Sequence, residues 1–287
     1  METILRSRTG SVTIGPEQPF VIIGERINPT GRAQLTEELQ HGELATVRAD
    51  AVAQVEAGAQ VLDLNVGAAG VDEVHVLPQV VTAVQELVDA PLCIDSPMHD
   101  ALEAALKACD GKPLVNSVTG EEESLDRILP MVRDHGAAVV GLAHGDAGIS
   151  MNPQDRLDAA RRIVERAGEL GIPREDIVID PLVMSVGADP QAADIALETM
   201  RRIRQEIGTN LVCGLSNVSH GLPGRGDLSS AFLAMAIQAG LTCAIANPLS
   251  PHVIRMARSA EVLTGRDSFA KRWIRAYREE TGRSEGD

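Results

Sequence analysis

The sequence predicts a (β/α)8, or TIM, barrel with an N-terminal β-hairpin added to it. Three observations lead there. One phrase recurs six times: a helical segment ends, a glycine follows, and a short apolar run begins. Eight such runs are spread along the chain, short and apolar through nearly their whole length, as strands buried on both faces must be. A length of 287 residues is ordinary for one barrel domain.

Taken in order, residues 2–19 hold two β-like stretches around Thr9-Gly10, read as a hairpin that seals the N-terminal end of the barrel. The eight strands are expected at 20–27, 60–66, 91–95, 113–118, 137–143, 177–182, 211–217 and 243–247. Gly58, Gly111, Gly136, Gly171, Gly208 and Gly240 mark the junctions that precede six of them, where glycine closes a helix at little cost. Helical spacing of apolar residues is found over 43–57, 77–89, 100–109, 122–134, 153–170, 192–207 and 229–239. Pro153 suits a first helical position, with Asn152 as its cap. An open doubly wound sheet has fewer units and a Gly-rich phosphate turn, and no G-x-G-x-x-G follows the first strand. Residues 266–287 carry Lys271, Arg272, Arg275 and Arg278 with Trp273 and Tyr277 four apart, which predicts a surface helix that packs through its aromatics, then a disordered tail. The chain is expected to form a single domain over residues 1–287.

Composition excludes several partners. A net charge of −15 argues against nucleic acid and against an anionic membrane surface, both of which want a basic face. Aromatic residues make up 2% of the chain, too few for stacking on single strands. No apolar run is long enough for a transmembrane helix, and residues 1–11 lack the apolar core of a signal peptide. Cys93, Cys109, Cys213 and Cys243 form no close pair, so reduced buried thiols are expected rather than a disulfide framework or a zinc site, in a cytoplasmic protein.

Chemistry in such a barrel collects at the C-terminal ends of the strands. Here the apolar runs end in Glu25-Arg26-Ile27-Asn28, Asp63-Leu64-Asn65, Asp95-Ser96, Asn116-Ser117, Asp180-Pro181, Ser216-Asn217 and Asn247-Pro248, with His144 just past the fifth. Taken singly, each Asp or Asn could simply cap the next loop. As a set they suggest a mouth rich in acceptors, where Arg26 is the one basic strand-end residue. Phosphate groups are disfavoured. A flat heterocycle with adjacent ring N–H and amino donors fits Asp95 and Asp180 as acceptors, with Asn116 on a mixed edge; pterins, purines and pyrimidines all qualify.

The runs Ile23-Gly-Glu-Arg-Ile-Asn-Pro-Thr-Gly-Arg32, Leu62-Asp-Leu-Asn-Val-Gly67, Cys93-Ile-Asp-Ser96, Val115-Asn-Ser117, Ile179-Asp-Pro-Leu182 and Gly214-Leu-Ser-Asn-Val-Ser219 narrow this further. Over residues 20–270 the sequence resembles the methyltetrahydrofolate:corrinoid protein methyltransferases of the pterin-binding barrel superfamily, relatives of the folate domain of cobalamin-dependent methionine synthase. The resemblance implies that Asp95, Asn116 and Asp180 hold a pterin ring, together with Gly214 and Ser216, and that Asn217 approaches N5 as the catalytic residue. Glu25, Asn28, Asp63 and Asn65 are expected to shape the pocket. His99, His144 and His220 belong to no part of the pattern and are expected at the surface or in caps.

The implied reaction exchanges a methyl group between N5 of tetrahydrofolate and the cobalt of a corrinoid (cobalamin). Methyltetrahydrofolate is the expected product in a demethylating or methylotrophic pathway, whereas an acetogenic one runs the other way. With no cobalamin-binding D-x-H-x-x-G motif in this chain, the corrinoid is expected on a separate protein; no protein-bound metal is expected. The family's homodimer is carried over as a further expectation. Dihydropteroate synthases place a Lys at the seventh strand and Arg-x-His at the eighth, whereas this chain has Ser216-Asn217 and Ala246-Asn247, which argues against that activity. The alternatives are a superfamily enzyme acting without a corrinoid, or a non-catalytic folate-binding or corrinoid-docking protein.

Overall fold

Eight parallel strands form the wall of the barrel in the computed structural model, which describes residues 1–282. The tail expected at 283–287 lies outside the described residues. The wall consists of β3 (Val21–Ile27), β4 (Val61–Asn65), β5 (Leu92–Asp95), β6 (Leu114–Thr119), β7 (Ala138–Leu142), β8 (Ile177–Asp180), β9 (Asn210–Leu211) and β10 (Cys243–Ala246). Neighbours pair in that order, and β10 pairs with β3. The ring closes through a bridge between Gly214 and Ile245 and the Ile245 N–H, which donates to the Cys213 carbonyl at 2.9 Å.

Successive strand residues point to opposite faces. One parity is apolar toward the helices, as with Leu62, Leu64, Ile94, Val139 and Ile179. The other fills the barrel with Val21, Ile23, Val61, Cys93, Leu114, Val140, Val178, Val212 and Cys243. The interior is plugged from below by the expected hairpin, β1 (Thr3–Arg6) and β2 (Ser11–Ile14), whose Leu5 and Ile14 join the same cluster. The hairpin is bonded to strand starts: Arg6 and Lys112 exchange backbone bonds at 3.0 and 2.9 Å, and buried Asn210 donates to Thr3 Oγ1 and the Ile14 carbonyl, both at 2.9 Å. Gly111 makes that contact possible. It has φ +99°, and a Cβ there would lie 2.2 Å from the Arg6 carbonyl oxygen.

The helices around the wall are α2 (Ala45–Glu56) through α9 (Pro251–Leu263), with a short α1 (Ala33–Gln40) ahead of them. The Asn152 cap before Pro153 is present, accepting from the Gln154 N–H at 3.0 Å. Elsewhere the boundaries differ. α3 (Glu73–Gln85) begins a turn before the expected Leu77, capped by Asp72, because Pro78 sits in its second turn rather than its first. α1 and α9 were not expected. α9 buries Val253, Ala257, Ala260 and Glu261, too few large apolar residues to give a clear period.

The largest departure is the seventh strand. Instead of running over 211–217 it forms a regular strand only at Asn210–Leu211, and Leu215–Ser219 winds into a 3-10 turn. Gly214, Ser216, Asn217 and Ser219 are small or backbone-bonding residues with little preference for a ladder. At the C-terminus, α10 (Lys271–Thr281) is the expected surface helix, but its aromatics are only partly covered: Trp273 is 37% and Tyr277 53% exposed. It is held by polar bonds instead, from the Arg272 and Trp273 amides to Asp267 and from Arg272 to Glu261 at 3.0 Å. All four cysteines are free thiols, and three are buried. Among the described residues, no helix is long and apolar enough to cross a membrane.

Replacing Asn210 by Ala removes both of its side-chain bonds to the hairpin. The urea midpoint is expected to fall by the equivalent of about 2 kcal/mol with an unchanged m-value.

Candidate active site

Parity places the polar strand ends inside the mouth. Glu25 follows Val21 and Ile23, Asp63 and Asn65 follow Val61, Asp95 follows Cys93, Asn116 follows Leu114, and Asp180 follows Val178. Register then sets their heights: Asn65, Asp95 and Asn116 are direct partners across β4, β5 and β6, with Asp63 one interior level below, beside Cys93. Asp180 lies two strands beyond Asn116, about 10 Å along the wall, paired with Leu142.

Hydrogen bonds knit one side of this mouth. Asn65 Nδ2 donates to Asp95 Oδ2 at 2.9 Å, and Asn116 Nδ2 donates to Asp63 Oδ1 at 3.3 Å. Asp63 is 2% exposed, and burial together with the neighbouring Asp95 pushes its pKa far up, against the Cys93 and Asn116 bonds. Burial raises Asp95 to about 6, with the Asn65 bond opposing it and Glu73 adding to it. Glu25 is also raised by burial, offset by Arg26, Arg225 and a bond from Ser216. Its inward aim depends on buried Gln54, whose Oε1 accepts the Arg26 N–H at 2.8 Å where the β3 register shifts.

Asp180 is raised to about 6 by burial, while the Leu182 amide and Arg156 hold it down. Donors within the chain satisfy only part of this set. Asp95 Oδ1, Asn116 Oδ1 and Asp180 Oδ2 take no bond from the described residues, which leaves acceptors facing the mouth. Asn217 stands on the 3-10 turn, exposed, with its amide packed over Gly214: a Cβ at 214 would lie 2.9 Å from Nδ2. Ser216 is tied down, its carbonyl accepting from Arg225 Nη2 at 2.9 Å.

The capping role seen for single residues holds in part. Asn28 serves its own loop, accepting the Thr30 N–H at 3.0 Å, and no bond joins it to the cluster among the described residues. Asn65 and Asp180 do both, accepting from the Gly67 and Leu182 amides while facing inward. His99 begins α4 (His99–Ala108) and pairs with Arg127 at 3.0 Å; His220 is exposed. His144 is partly buried, with Nδ1 4.0 Å from Glu121 Oε1 and without a hydrogen bond among the described residues.

The expectation of a mouth with one cation needs correction, because helices bring Arg156 and Arg225 to it. Arg156 had a readable signal: with Ala160, Ile163 and Ala167 it falls on the apolar stripe of α6 (Pro153–Glu169). Glu73, whose Oε2 accepts from Ser96 Oγ at 2.6 Å, was hidden by the late start assigned to its helix. Among the described residues no group of three His, Cys, Asp or Glu side chains converges as for a metal ion.

A sequence profile described as "Pterin binding enzyme" matches residues 24–247. The chain belongs to this family. The chain is also similar to a methylcorrinoid:tetrahydrofolate methyltransferase from Eubacterium limosum, 31% identical over 266 residues, which are 91% of this chain and 97% of the other. Two solved structures share the barrel: the Yersinia pestis DHPS with a pterine-sulfa conjugate (TM-score 0.66, 16% identity, 92% of this chain and 99% of that one) and dihydropteroate synthase from Thermus thermophilus (TM-score 0.66, 20% identity, 91% and 99%). At those identities the likeness concerns the fold.

The carboxyl groups of this pterin-binding family member are held at a cost. A carboxyl whose pKa is higher folded than unfolded supports stability fully below its unfolded pKa, near 4, and the contribution is lost as pH rises through about 6. Asp95→Asn is therefore expected to be more stable than wild type by about 1–2 kcal/mol at pH 8, with the gain gone below about pH 4, in paired denaturant titrations.

Proposed function

We propose that this chain transfers a methyl group from the cobalt of a corrinoid, carried on a separate protein, to N5 of tetrahydrofolate. The observation that carries the reading is the inward-facing set of Asp95, Asn116 and Asp180, with open acceptor atoms at the C-terminal mouth of a pterin-binding barrel. It is supported by 31% identity, over nearly the full length of both chains, to an enzyme named for that donor and acceptor.

The donor set suits the ligand. A pterin offers adjacent ring N–H and exocyclic amino donors, and ionised carboxylates accept them with charge-assisted bonds. Asp95 and Asp180 titrate near 6, so both accept at neutral pH. Asp63, its carboxyl pushed far up by burial and by Asp95, accepts the Asn116 Nδ2 from below and leaves the Asn116 amide oxygen for the ring. Glu25, Ser216 and Arg225 fix the start of the turn that carries Asn217.

Asn217 is the catalytic residue in this reading. Methylation at N5 changes the charge on that nitrogen, and a neutral amide placed beside it stabilises the change without competing for the proton. The hard chemistry belongs to the corrinoid; the barrel supplies orientation. The corrinoid protein and the folate are the partners proposed, with the chain acting as a homodimer in the cytoplasm.

Asn217→Ala is expected to slow single-turnover methyl transfer at least about tenfold, or about 1.4 kcal/mol of barrier, with folate affinity little changed. Asp180→Ala should instead weaken tetrahydrofolate binding in calorimetry. A wild-type rate in the first, or wild-type affinity in the second, removes the role assigned. The reaction itself is followed by the visible spectrum of a methylcorrinoid protein on addition of tetrahydrofolate; a spectrum that stays unchanged despite tight folate binding rejects the proposal.

A further inference from the structure

Arg156 is the largest fully buried side chain in the molecule, 1% exposed, yet it forms no ion pair within 4 Å among the described residues. Its bonds go to the main chain of two loops. Nε donates to the Ser150 carbonyl at 2.7 Å, in the loop after β7; Nη1 donates to the Pro181 and Leu182 carbonyls at 2.8 and 2.6 Å, in the loop after β8. Nη2 lies 3.9 Å from the Met151 sulfur. A guanidinium removed from water needs more than carbonyls around it, and the charge it senses is that of Asp180.

The turn it grips is the one that aims this carboxylate. The Leu182 N–H donates to Asp180 Oδ1 at 2.7 Å while the Leu182 carbonyl is taken by Arg156. Leu182 has φ +66°, a left-handed conformation that leucine avoids unless its surroundings hold it there. Two opposed hydrogen bonds at one residue are such a hold.

We infer that Arg156 is a positioning residue for pterin recognition: its guanidinium locks the Asp180-Pro181-Leu182 turn so that Asp180 faces the mouth as a charged acceptor. The inference rests on the reading of Asp180 as a pterin acceptor. Lysine cannot replace it, because a single ammonium has no planar fork to span carbonyls from two loops. The groups facing Asp180 are few. Arg156 comes from α6 and the Leu182 amide from its own loop; Cys213 and Cys243, beyond β9 and on β10, are thiols whose pKa burial pushes up, so they stay neutral.

The test measures tetrahydrofolate affinity by calorimetry between about pH 5.5 and 8.5, and follows the Asp180 carboxyl by 13C NMR of aspartate-labelled protein. Its resonance is identified by its loss in Asp180→Asn. In the wild type the carboxyl titrates at about 6, and affinity declines as pH falls through that value. Arg156→Met, similar in length and uncharged, is expected to move the midpoint upward by about one pH unit or more and to weaken binding at pH 7 about tenfold. Arg156→Lys retains the charge, so its midpoint stays near the wild-type value while affinity drops at least about threefold at every pH. A role in packing alone would lower the melting temperature and leave the midpoint where it was.

An unmoved midpoint in folded Arg156→Met overturns the inference. Should that variant not fold, full affinity in Arg156→Lys overturns it. Failure of the wild type to bind tetrahydrofolate would sink the functional reading instead, and the NMR midpoints in wild type and Arg156→Met still decide what Arg156 does to Asp180.

Discussion

The two-residue period of a closed parallel wall is the constraint on which the mouth depends. Because the strands of the ring alternate between the helix layer and the interior, one parity supplies the plug of Ile23, Val61, Cys93, Leu114 and Val178 and then, two residues further on, the polar rim. A slip of one residue in β4 or β5 would send Asp63 or Asp95 into the helix layer and bring Leu64 or Ile94 to the mouth. The apolar plug and the hairpin beneath it therefore hold the register that makes a convergent acceptor set possible.

That convergence is electrostatically unfavourable when empty. Asp63, Asp95 and Glu25 repel one another in a poorly solvated space, and all three carboxyl groups are pushed upward as a result of burial. The structure limits the cost without cancelling it. Neutral amides from Asn65 and Asn116 donate to the carboxyls, and Arg225 and Arg156, bonded to the Ser216 and Pro181 carbonyls, lower Glu25 and Asp180. In the proposed reading, a ligand bearing donors relieves what remains.

Much of this was legible in the sequence because its signals are local. Five of the six junction glycines close a helix in the left-handed conformation, and the sixth, Gly111, meets the hairpin. Strand ends read as polar because the apolar runs stop there, and Asp95, Asn116 and Asp180 occupy the inward parity expected of a mouth. What could not be read depends on partners remote in the chain. Asn65 is recognised as a donor to Asp95 only once β4 lies beside β5, and Ser216 as bound to Glu25 only once the ring is closed. The seventh strand misled because Leu211-Val-Cys-Gly-Leu has the composition of a buried strand, yet the bonds to its neighbours stop at Cys213 and Gly214 and the chain turns into a 3-10 helix at Leu215. The aromatics of α10 misled in the opposite sense, since helical spacing does not say whether anything lies opposite the face it creates.

The short β9 divides the mouth into two kinds of construction. Residues on β4, β5, β6 and β8 inherit their positions from the ladder, so moving one of them means disturbing the wall. Asn217 owes its place to bonds within 214–220, to Arg225, Ser229 and the 185–186 loop, and to Gly214, which leaves room for its amide. On the proposed reading, grip and reactivity are thereby lodged in separately adjustable parts, so that substitutions near Asn217 retune what is done to a bound ring more than how tightly it is held.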